Sequence, residues 1–288
     1  MVAASDKSQR SKVSNVLAQA SAAGLKGLDF VVSEAGKYNI KLIISLVNNF
    51  KDLGGKVQYV QWARHAGVKI KNPDDFYTNA VVRGYYRNHV KKVLTRVNTI
   101  TKIAYKDDPI IMAWQLMNEP RSAPQYAKSL HKWIEEMAAY VKSIDNKHLL
   151  SIGMEGFYGE ETPDRKQYNP GNYTSGTEFV KNHLVKEIDF ATMHVYPDRW
   201  LSTKIETERR RFLQRWIDIH FKDSMTIVKK PLVLAEFGRV IVGNNVKYRD
   251  SFMNEVYSYI YAFAKISRGG MAGSLVWQLM SEDIDVEK

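Results

Sequence analysis

The stretch from Ile110 to Arg121, Ile-Ile-Met-Ala-Trp-Gln-Leu-Met-Asn-Glu-Pro-Arg, decides the fold of this chain. Its apolar run follows Pro109 and ends before Pro120, which is typical of a short buried strand in a parallel sheet, because proline interrupts helices. The polarity changes abruptly at Asn118 and Glu119. Since parallel α/β folds carry out their chemistry at the carboxyl ends of strands, Glu119 is a candidate acid or base.

Similar apolar runs recur along the chain and alternate with segments of helical periodicity. The predicted strands cover residues 41–49, 110–117, 149–153, 189–194, 232–236 and 273–278. The predicted helices cover residues 28–35, 78–105, 123–144, 177–186, 205–221 and 249–266, and the glycines and proline between the first strand and the second of these helices indicate a loop there. This alternation, with no evident linker, predicts a single α/β domain built on a parallel sheet.

Every predicted strand is followed by a polar or aromatic group at its carboxyl end. These groups are Asn48 and Asn49, Asn118 and Glu119, Glu155, His194 and Tyr196, Glu236, and Trp277. Six such ends are typical of the rim of a (β/α)8 barrel, whereas a doubly wound sheet concentrates its site at one switch point. A complete barrel has eight strands, so we expect a barrel of this type that is incomplete, lacking two strands and the last helix.

Two carboxyl groups at these strand ends, Glu119 and Glu236, are the leading catalytic candidates. Cleavage of a glycosidic bond needs one protonated carboxyl group for the leaving oxygen and one carboxylate that attacks or activates water. Retaining enzymes hold the two groups about 5–5.5 Å apart and inverting enzymes about 6.5–9.5 Å, a difference that the sequence leaves open. Neighbouring groups that suit a sugar are Asn118, His194, Tyr196, Trp277 and Arg121.

Composition excludes several other classes of function. The chain has 288 residues and no cysteine, which excludes thiol catalysis and cysteine-bound metals. No His-Glu-x-x-His pattern and no glycine-rich phosphate loop occurs, so we expect neither a metal nor a nucleotide cofactor. The net charge of +11 is spread along the chain, which argues against nucleic acid as a partner but favours attraction to acidic polymers. No apolar run is long enough to cross a membrane, and no secretion signal is visible at the start.

Four ordered motifs resemble those of glycoside hydrolase family 5. They are Ala113 to Arg121 (Ala-Trp-Gln-Leu-Met-Asn-Glu-Pro-Arg), His194 to Pro197 (His-Val-Tyr-Pro), Leu234 to Gly238 (Leu-Ala-Glu-Phe-Gly) and Leu275 to Leu279 (Leu-Val-Trp-Gln-Leu). Three further segments are similar to plant endo-β-1,4-mannanases: residues 27–35, 45–49 and 155–159. The resemblance extends from about Lys26 to the end of the chain.

This resemblance implies a (β/α)8-barrel enzyme that cleaves internal β-1,4 bonds of mannan, glucomannan or galactomannan with retention. It implies Glu119 as the proton donor and Glu236 as the nucleophile. It further implies Asn118, Tyr196, Trp277, Arg121 and His194 as residues that contact the substrate or support the site. No cofactor and no metal is implied. We expect an extracellular monomer whose partner is the polysaccharide, with neither nucleic acid nor a membrane as a partner.

The chain also departs from the family pattern. The two strands that open the family's barrel, one with an aromatic substrate contact and one with an arginine that supports the nucleophile, are not recognisable before Lys26. We therefore predict an atypical segment over residues 1–25 and a partial barrel, strands 3 to 8, over residues 26–288. The alternative function is a catalytically inactive mannanase-like remnant that at most binds polysaccharide, and a third is the same chemistry on a β-glucan.

Overall fold

The computed structural model of the chain describes residues 24–51, 54–239 and 246–278. The predictions of an atypical segment over residues 1–25 and of a missing last helix therefore fall almost entirely outside the described residues. The described residues group into two units. The first contains the residues up to Asn118 together with Lys128–Leu150, and the second contains Glu119–Ala127 together with the residues from Ser151 onward.

The first unit contains three strands and most of the helices of the amino-terminal half. Residues 24–37 are helical (α1). The elements that follow are β1 (Leu42–Ser45), α2 (Lys56–His65), α3 (Ala80–Leu94), β2 (Ile111–Gln115), α4 (Ala127–Ile144) and β3 (Leu149–Ser151). The strand order is β1-β2-β3, and β1 pairs with β2 in parallel. The apolar side chains of Ile111, Ala113 and Trp114 on β2 are buried, which accounts for the apolar run in the sequence.

The second unit contains the other three strands. Its elements are α5 (Phe179–His183), β4 (Ala191–Val195), α6 (Pro197–Trp200), α7 (Glu206–Asp223), β5 (Leu232–Phe237), α8 (Lys247–Ser267) and β6 (Met271–Val276). The strand order is β4-β5-β6, and both strand pairs are parallel. The register places His194 of β4 opposite Glu236 of β5, after a shift between Met193 and His194.

Short helical turns connect several of these elements. Turns of 3₁₀ helix cover Pro73–Phe76, Tyr105–Asp107, Pro124–Tyr126, Pro163–Tyr168 and Pro170–Asn172, and a π-helical turn covers Ser224–Val228. The prediction of six strands is confirmed, since each predicted strand contains or overlaps one observed strand.

Several helix predictions were wrong, for local physical reasons. The helix predicted over residues 78–105 ends at Leu94, because the chain then turns back and Val97 pairs with Ala104. Helix α2 lies between Gly55 and Pro73, in a stretch predicted as a loop, and the burial of Tyr59, Val60 and Ala63 stabilises it. The helix predicted over residues 177–186 covers only Phe179–His183.

The apolar core of the second unit lies between α7 and strands β4 and β5. Trp216 of α7 is fully buried, and its indole Nε1 donates to the carbonyl oxygen of His194 at 2.9 Å. One turn further along α7, the imidazole of His220 lies 2.6 Å from the carbonyl oxygen of Gly156. Both contacts fix α7 to the backbone beside the carboxyl ends of the strands.

Gly156 lets the chain approach α7 closely. Its φ angle is +111°, and a Cβ atom there would lie 2.5 Å from Nε2 of His220 and 3.1 Å from the ring of Trp216. A side chain would therefore meet both backbone strain and two buried rings.

We predict that Gly156→Ala lowers the free energy of unfolding by about 2–4 kcal/mol, the sum of strain at positive φ and overpacking. Gly84→Ala is the matched control, because Gly84 lies within α3, where an added Cβ atom would meet no other atom within 4 Å, and alanine is favoured in helices. Urea denaturation of both variants is the measurement. Equal stability of the two variants would contradict this account of Gly156.

Candidate active site

Glu119 occupies an unusual backbone conformation directly after β2. Its φ angle is +48°, in the left-handed region that residues with a side chain rarely adopt. Its backbone N–H donates to the carbonyl oxygen of Gly153 at 2.9 Å, and the residue is buried. Such conformations concentrate at functional sites, where the surrounding structure holds them in place.

His194 brings Glu119 and Glu236 together. Its Nδ1 atom lies 2.8 Å from Oε1 of Glu119 and 3.4 Å from Oε2 of Glu236. A carboxylate oxygen of Glu119 lies within 4.8 Å of one of Glu236. The two glutamates, 117 residues apart in the sequence, therefore face the same small volume.

Tyr196 and Trp277 lie on the Glu236 side of the site. The phenol of Tyr196 donates to Oε2 of Glu236 at 2.8 Å. Trp277 is 46% exposed, and its backbone N–H donates to the carbonyl oxygen of Phe237 at 2.8 Å. A cavity of about 120 Å³ opens here and is lined by Tyr196, Arg199, Gly238, Arg239, Trp277 and Gln278. An exposed indole beside a cavity offers a flat apolar face to a ligand.

Arg121 and Glu155 form a second charged pair next to Glu119. Nε of Arg121 donates to Oε2 of Glu155 at 2.8 Å, and its Nη2 also contacts the other carboxylate oxygen of Glu155. The same Nη2 lies 3.6 Å from Oε2 of Glu119. The guanidinium lies 5.6 Å from the ring centre of Phe157 and 5.4 Å from that of Tyr173.

Sequence reasoning named Glu155 as a strand end but assigned it no role. The signal that identified Glu119 and Glu236, a carboxyl group just after an apolar run, was present for Glu155 as well. Asn118, a predicted substrate contact, belongs to the first unit. There it forms an isolated parallel bridge with Asn48, and its N–H donates to the carbonyl oxygen of Val47 at 2.8 Å.

Burial controls the protonation of the site. It raises the pKa of Glu119 and of Glu236, and in Glu119 this outweighs the opposing attraction of Arg121. Burial also raises the pKa of Glu155 to about 7, although Arg121 acts in the opposite direction. The pKa of His194 is lowered because its ring is buried, so this histidine is neutral at neutral pH. The site therefore retains protons on its carboxyl groups at pH values where exposed glutamates have lost them.

The same three side chains also form a candidate metal site. Among the described residues, Glu119, His194 and Glu236 have atoms close enough to bind one ion. However, the 2.8 Å contact between Glu119 and His194 is a hydrogen-bond distance, shorter than the roughly 3.3 Å between ligands in a tetrahedral zinc site. The arrangement fits a shared proton better than an ion.

Two carboxyl groups contact one buried histidine, near an exposed tryptophan at the ends of parallel strands. This arrangement is compatible with the two-carboxylate chemistry of glycoside hydrolases. A family model described as GH family 5 beta-mannosidase-like matches residues 2–281. The chain therefore belongs to glycoside hydrolase family 5, in its beta-mannosidase-like branch.

Individual relatives agree with this assignment. The chain is 51% identical to mannan endo-1,4-beta-mannosidase 5 of Solanum lycopersicum, across 99% of this chain and 76% of that protein. It is 46% identical to mannan endo-1,4-beta-mannosidase 1 of Oryza sativa subsp. japonica, across 99% of this chain and 73% of that protein.

Solved structures match as well. The crystal structure of the endo-beta-1,4-mannanase from Thermotoga petrophila has a TM-score of 0.77 and 30% identity, and the match covers 91% of this chain and 55% of that one. The endo-1,4-beta-mannanase from Rhizomucor miehei has a TM-score of 0.70 and 29% identity, across 87% and 66% of the two chains. The predicted fold class, an α/β chain of the (β/α)8-barrel type, is confirmed. No helix among the described residues is both long and apolar enough to span a membrane.

The raised pKa of Glu236 has a consequence for stability. Because the folded state holds the proton more tightly than the unfolded state, its contribution to stability is present at low pH and is lost as the pH rises through the folded pKa. At neutral to alkaline pH the partly buried carboxylate of Glu236 is therefore destabilising.

We predict that Glu236→Gln raises the melting temperature by about 1–3 °C at pH 8 and changes it less at pH 4, where the wild-type side chain is protonated. Glu208→Gln, on an exposed part of α7, is the control and should change it by less than about 1 °C at either pH. Scanning calorimetry at both pH values is the measurement. A pH-independent effect of Glu236→Gln would show that the carboxyl group is not held in its protonated form by burial.

Proposed function

We propose that this chain hydrolyses internal β-1,4-mannosidic bonds in mannan, glucomannan or galactomannan with retention of configuration. The observation that carries the proposal is the placement of Glu119 and Glu236 on either side of Nδ1 of His194. The substrate class follows from the relatives named above as mannan endo-1,4-beta-mannosidases. Carboxylate oxygens within 4.8 Å fit the separation of about 5–5.5 Å in retaining enzymes better than the 6.5–9.5 Å of inverting enzymes.

In the proposed reaction, Glu119 donates its proton to the leaving glycosidic oxygen while Glu236 attacks the sugar carbon. The raised pKa of Glu119 keeps that proton in place at mildly acidic pH. Hydrogen bonding from Tyr196 favours the ionised form of Glu236. Glu119, now ionised, then removes a proton from the water that releases the sugar from Glu236.

The remaining predicted residues take supporting roles in this proposal. Trp277 provides a flat face for a sugar ring, Asn118 contacts a sugar hydroxyl, and Arg121 lies on the leaving-group side. We infer that residues 26–288 act as one catalytic domain. We also infer that the protein acts outside the cell as a monomer.

We predict that Glu119→Gln and Glu236→Gln each lower the release of reducing ends from glucomannan by about 1,000-fold or more, because each removes a group that bonds to reacting atoms. Both replacements keep the size of the side chain, and Glu208→Gln serves as a control for expression and handling. Wild-type turnover that survives in Glu236→Gln would refute the proposal. A folded wild-type chain that binds mannan without cleaving it would support the binding-only alternative instead.

We predict that Tyr196→Phe lowers kcat/KM about tenfold and moves the acidic limb of the pH–rate profile to higher pH. The phenol stabilises the ionised form of Glu236, so its loss makes that carboxylate easier to protonate. The acidic limb reports the ionisation of the nucleophile, with the two glutamates and His194 titrating as a coupled group. An acidic limb that stays in place or moves to lower pH would contradict the assignment of Glu236.

A further inference from the structure

The cavity beside Glu236 contains a cation to which the proposed reaction assigns no role. Arg199 is exposed on the short helix α6, and it lines the cavity of about 120 Å³ together with Tyr196 and Trp277. Its guanidinium carbon lies 5.7 Å from the ring centre of Tyr196, which itself bonds to Glu236. A positive charge therefore lines the cavity next to the tyrosine that bonds to Glu236.

A second arginine in the same cavity is already neutralised. Arg239 forms two hydrogen bonds with the carboxylate of Glu206, at 2.6 and 2.8 Å, and also lies 5.4 Å from the ring centre of Tyr248. Arg199 has no such partner within the described ranges, since no carboxylate oxygen there lies within 4.0 Å of its guanidinium nitrogens. Of these two arginines lining the cavity, only Arg239 is paired with a carboxylate among the described residues.

We propose that Arg199 forms a subsite for a carboxylate on the polysaccharide, so that mannan chains bearing uronic acid residues are preferred substrates. The proposal rests on the hydrolase function above and names the class of substrate for that site. A planar guanidinium matches a carboxylate with two parallel hydrogen bonds. The carboxyl group of a uronic acid is ionised above roughly pH 4, so it carries a negative charge in an assay near pH 6.

The charge distribution around the site favours this location for an anion. At the reacting centre itself, the ionised carboxylate of Glu236 repels a further negative charge. Arg199 lines the neighbouring cavity, so in this proposal an anionic substituent binds there while the neutral reacting sugar lies at Glu236. The net charge of +11 acts in the same direction, because it attracts acidic polysaccharides over longer distances.

The test compares two forms of one polymer: native galactomannan, and the same galactomannan with part of its primary alcohol groups oxidised to carboxylates. The wild type is measured beside Arg199→Gln, Arg199→Lys and Arg211→Gln. Arg211 is exposed on α7 and does not line the cavity, so its variant removes one charge elsewhere. The quantity compared is kcat/KM on the oxidised polymer divided by kcat/KM on the native polymer, at pH 6 and low salt.

We expect this ratio to fall about 3- to 10-fold in Arg199→Gln, the range for a partly exposed charge-assisted contact. Arg199→Lys should recover part of the loss, and Arg211→Gln should leave the ratio as in the wild type. Added salt should reduce the wild-type ratio towards that of Arg199→Gln, because exposed charges are screened. A structural role limited to packing on Tyr196 would instead lower both rates and leave the ratio unchanged.

An unchanged ratio in Arg199→Gln, or an equal fall in Arg211→Gln, would overturn this inference while leaving the hydrolase function intact. Absence of wild-type turnover on both polymers would overturn the proposed function. In that case, gel retardation of Glu236→Gln by the two polymers, with and without Arg199→Gln, still tests the subsite. Retardation by the oxidised polymer that does not depend on Arg199 would then refute it.

Discussion

The shared environment of Glu119, His194 and Glu236 is the constraint on which the rest of the second unit depends. Glu119 and His194 are buried and Glu236 is partly buried, so water is largely excluded from the three groups. Two carboxylates this close to one another cannot both be ionised without a large penalty. The histidine nitrogen between them and the phenol of Tyr196 relieve part of this conflict. The remaining penalty raises the pKa values of Glu119 and Glu236. A raised pKa of the proton donor is the condition that acid catalysis at mildly acidic pH requires.

The backbone around the site is held by a continuous set of hydrogen bonds. Residues 153–155 accept bonds from both sides: Gly153 from the N–H of Glu119, Met154 from the hydroxyl of Thr192, and Glu155 from the N–H of His194. The indole N–H of Trp216, on α7, donates to the carbonyl oxygen of His194. The side chains of Glu119 and His194 therefore lie on strand ends whose relative positions are fixed by main-chain contacts, which is how a functional site keeps its geometry.

Much of this arrangement could be predicted from the sequence, for an identifiable reason. Buried parallel strands appear in the sequence as apolar runs. A carboxyl group at the end of such a run, as in Glu119 and Glu236, is expected at the edge of the sheet formed by the carboxyl ends of the strands. Helix α2 was not predicted because Gly54 and Gly55, directly before it, indicate a loop, whereas its stability comes from tertiary burial. Three features could not be predicted: the left-handed backbone of Glu119, the pairing of Glu155 with Arg121, and the raised pKa values. They depend on distances between residues that the local sequence does not encode.

The central claim is that Glu236 attacks the sugar and Glu119 supplies the proton. The most direct measurement incubates the protein with a β-mannoside that carries fluorine at C2 and a good leaving group, which slows release of a covalent intermediate, and then maps the labelled peptide by mass spectrometry. The account predicts one sugar adduct on the peptide that contains Glu236, and none in Glu236→Gln. Hydrolysis of mannan with inversion, or an adduct on Glu119, would contradict it.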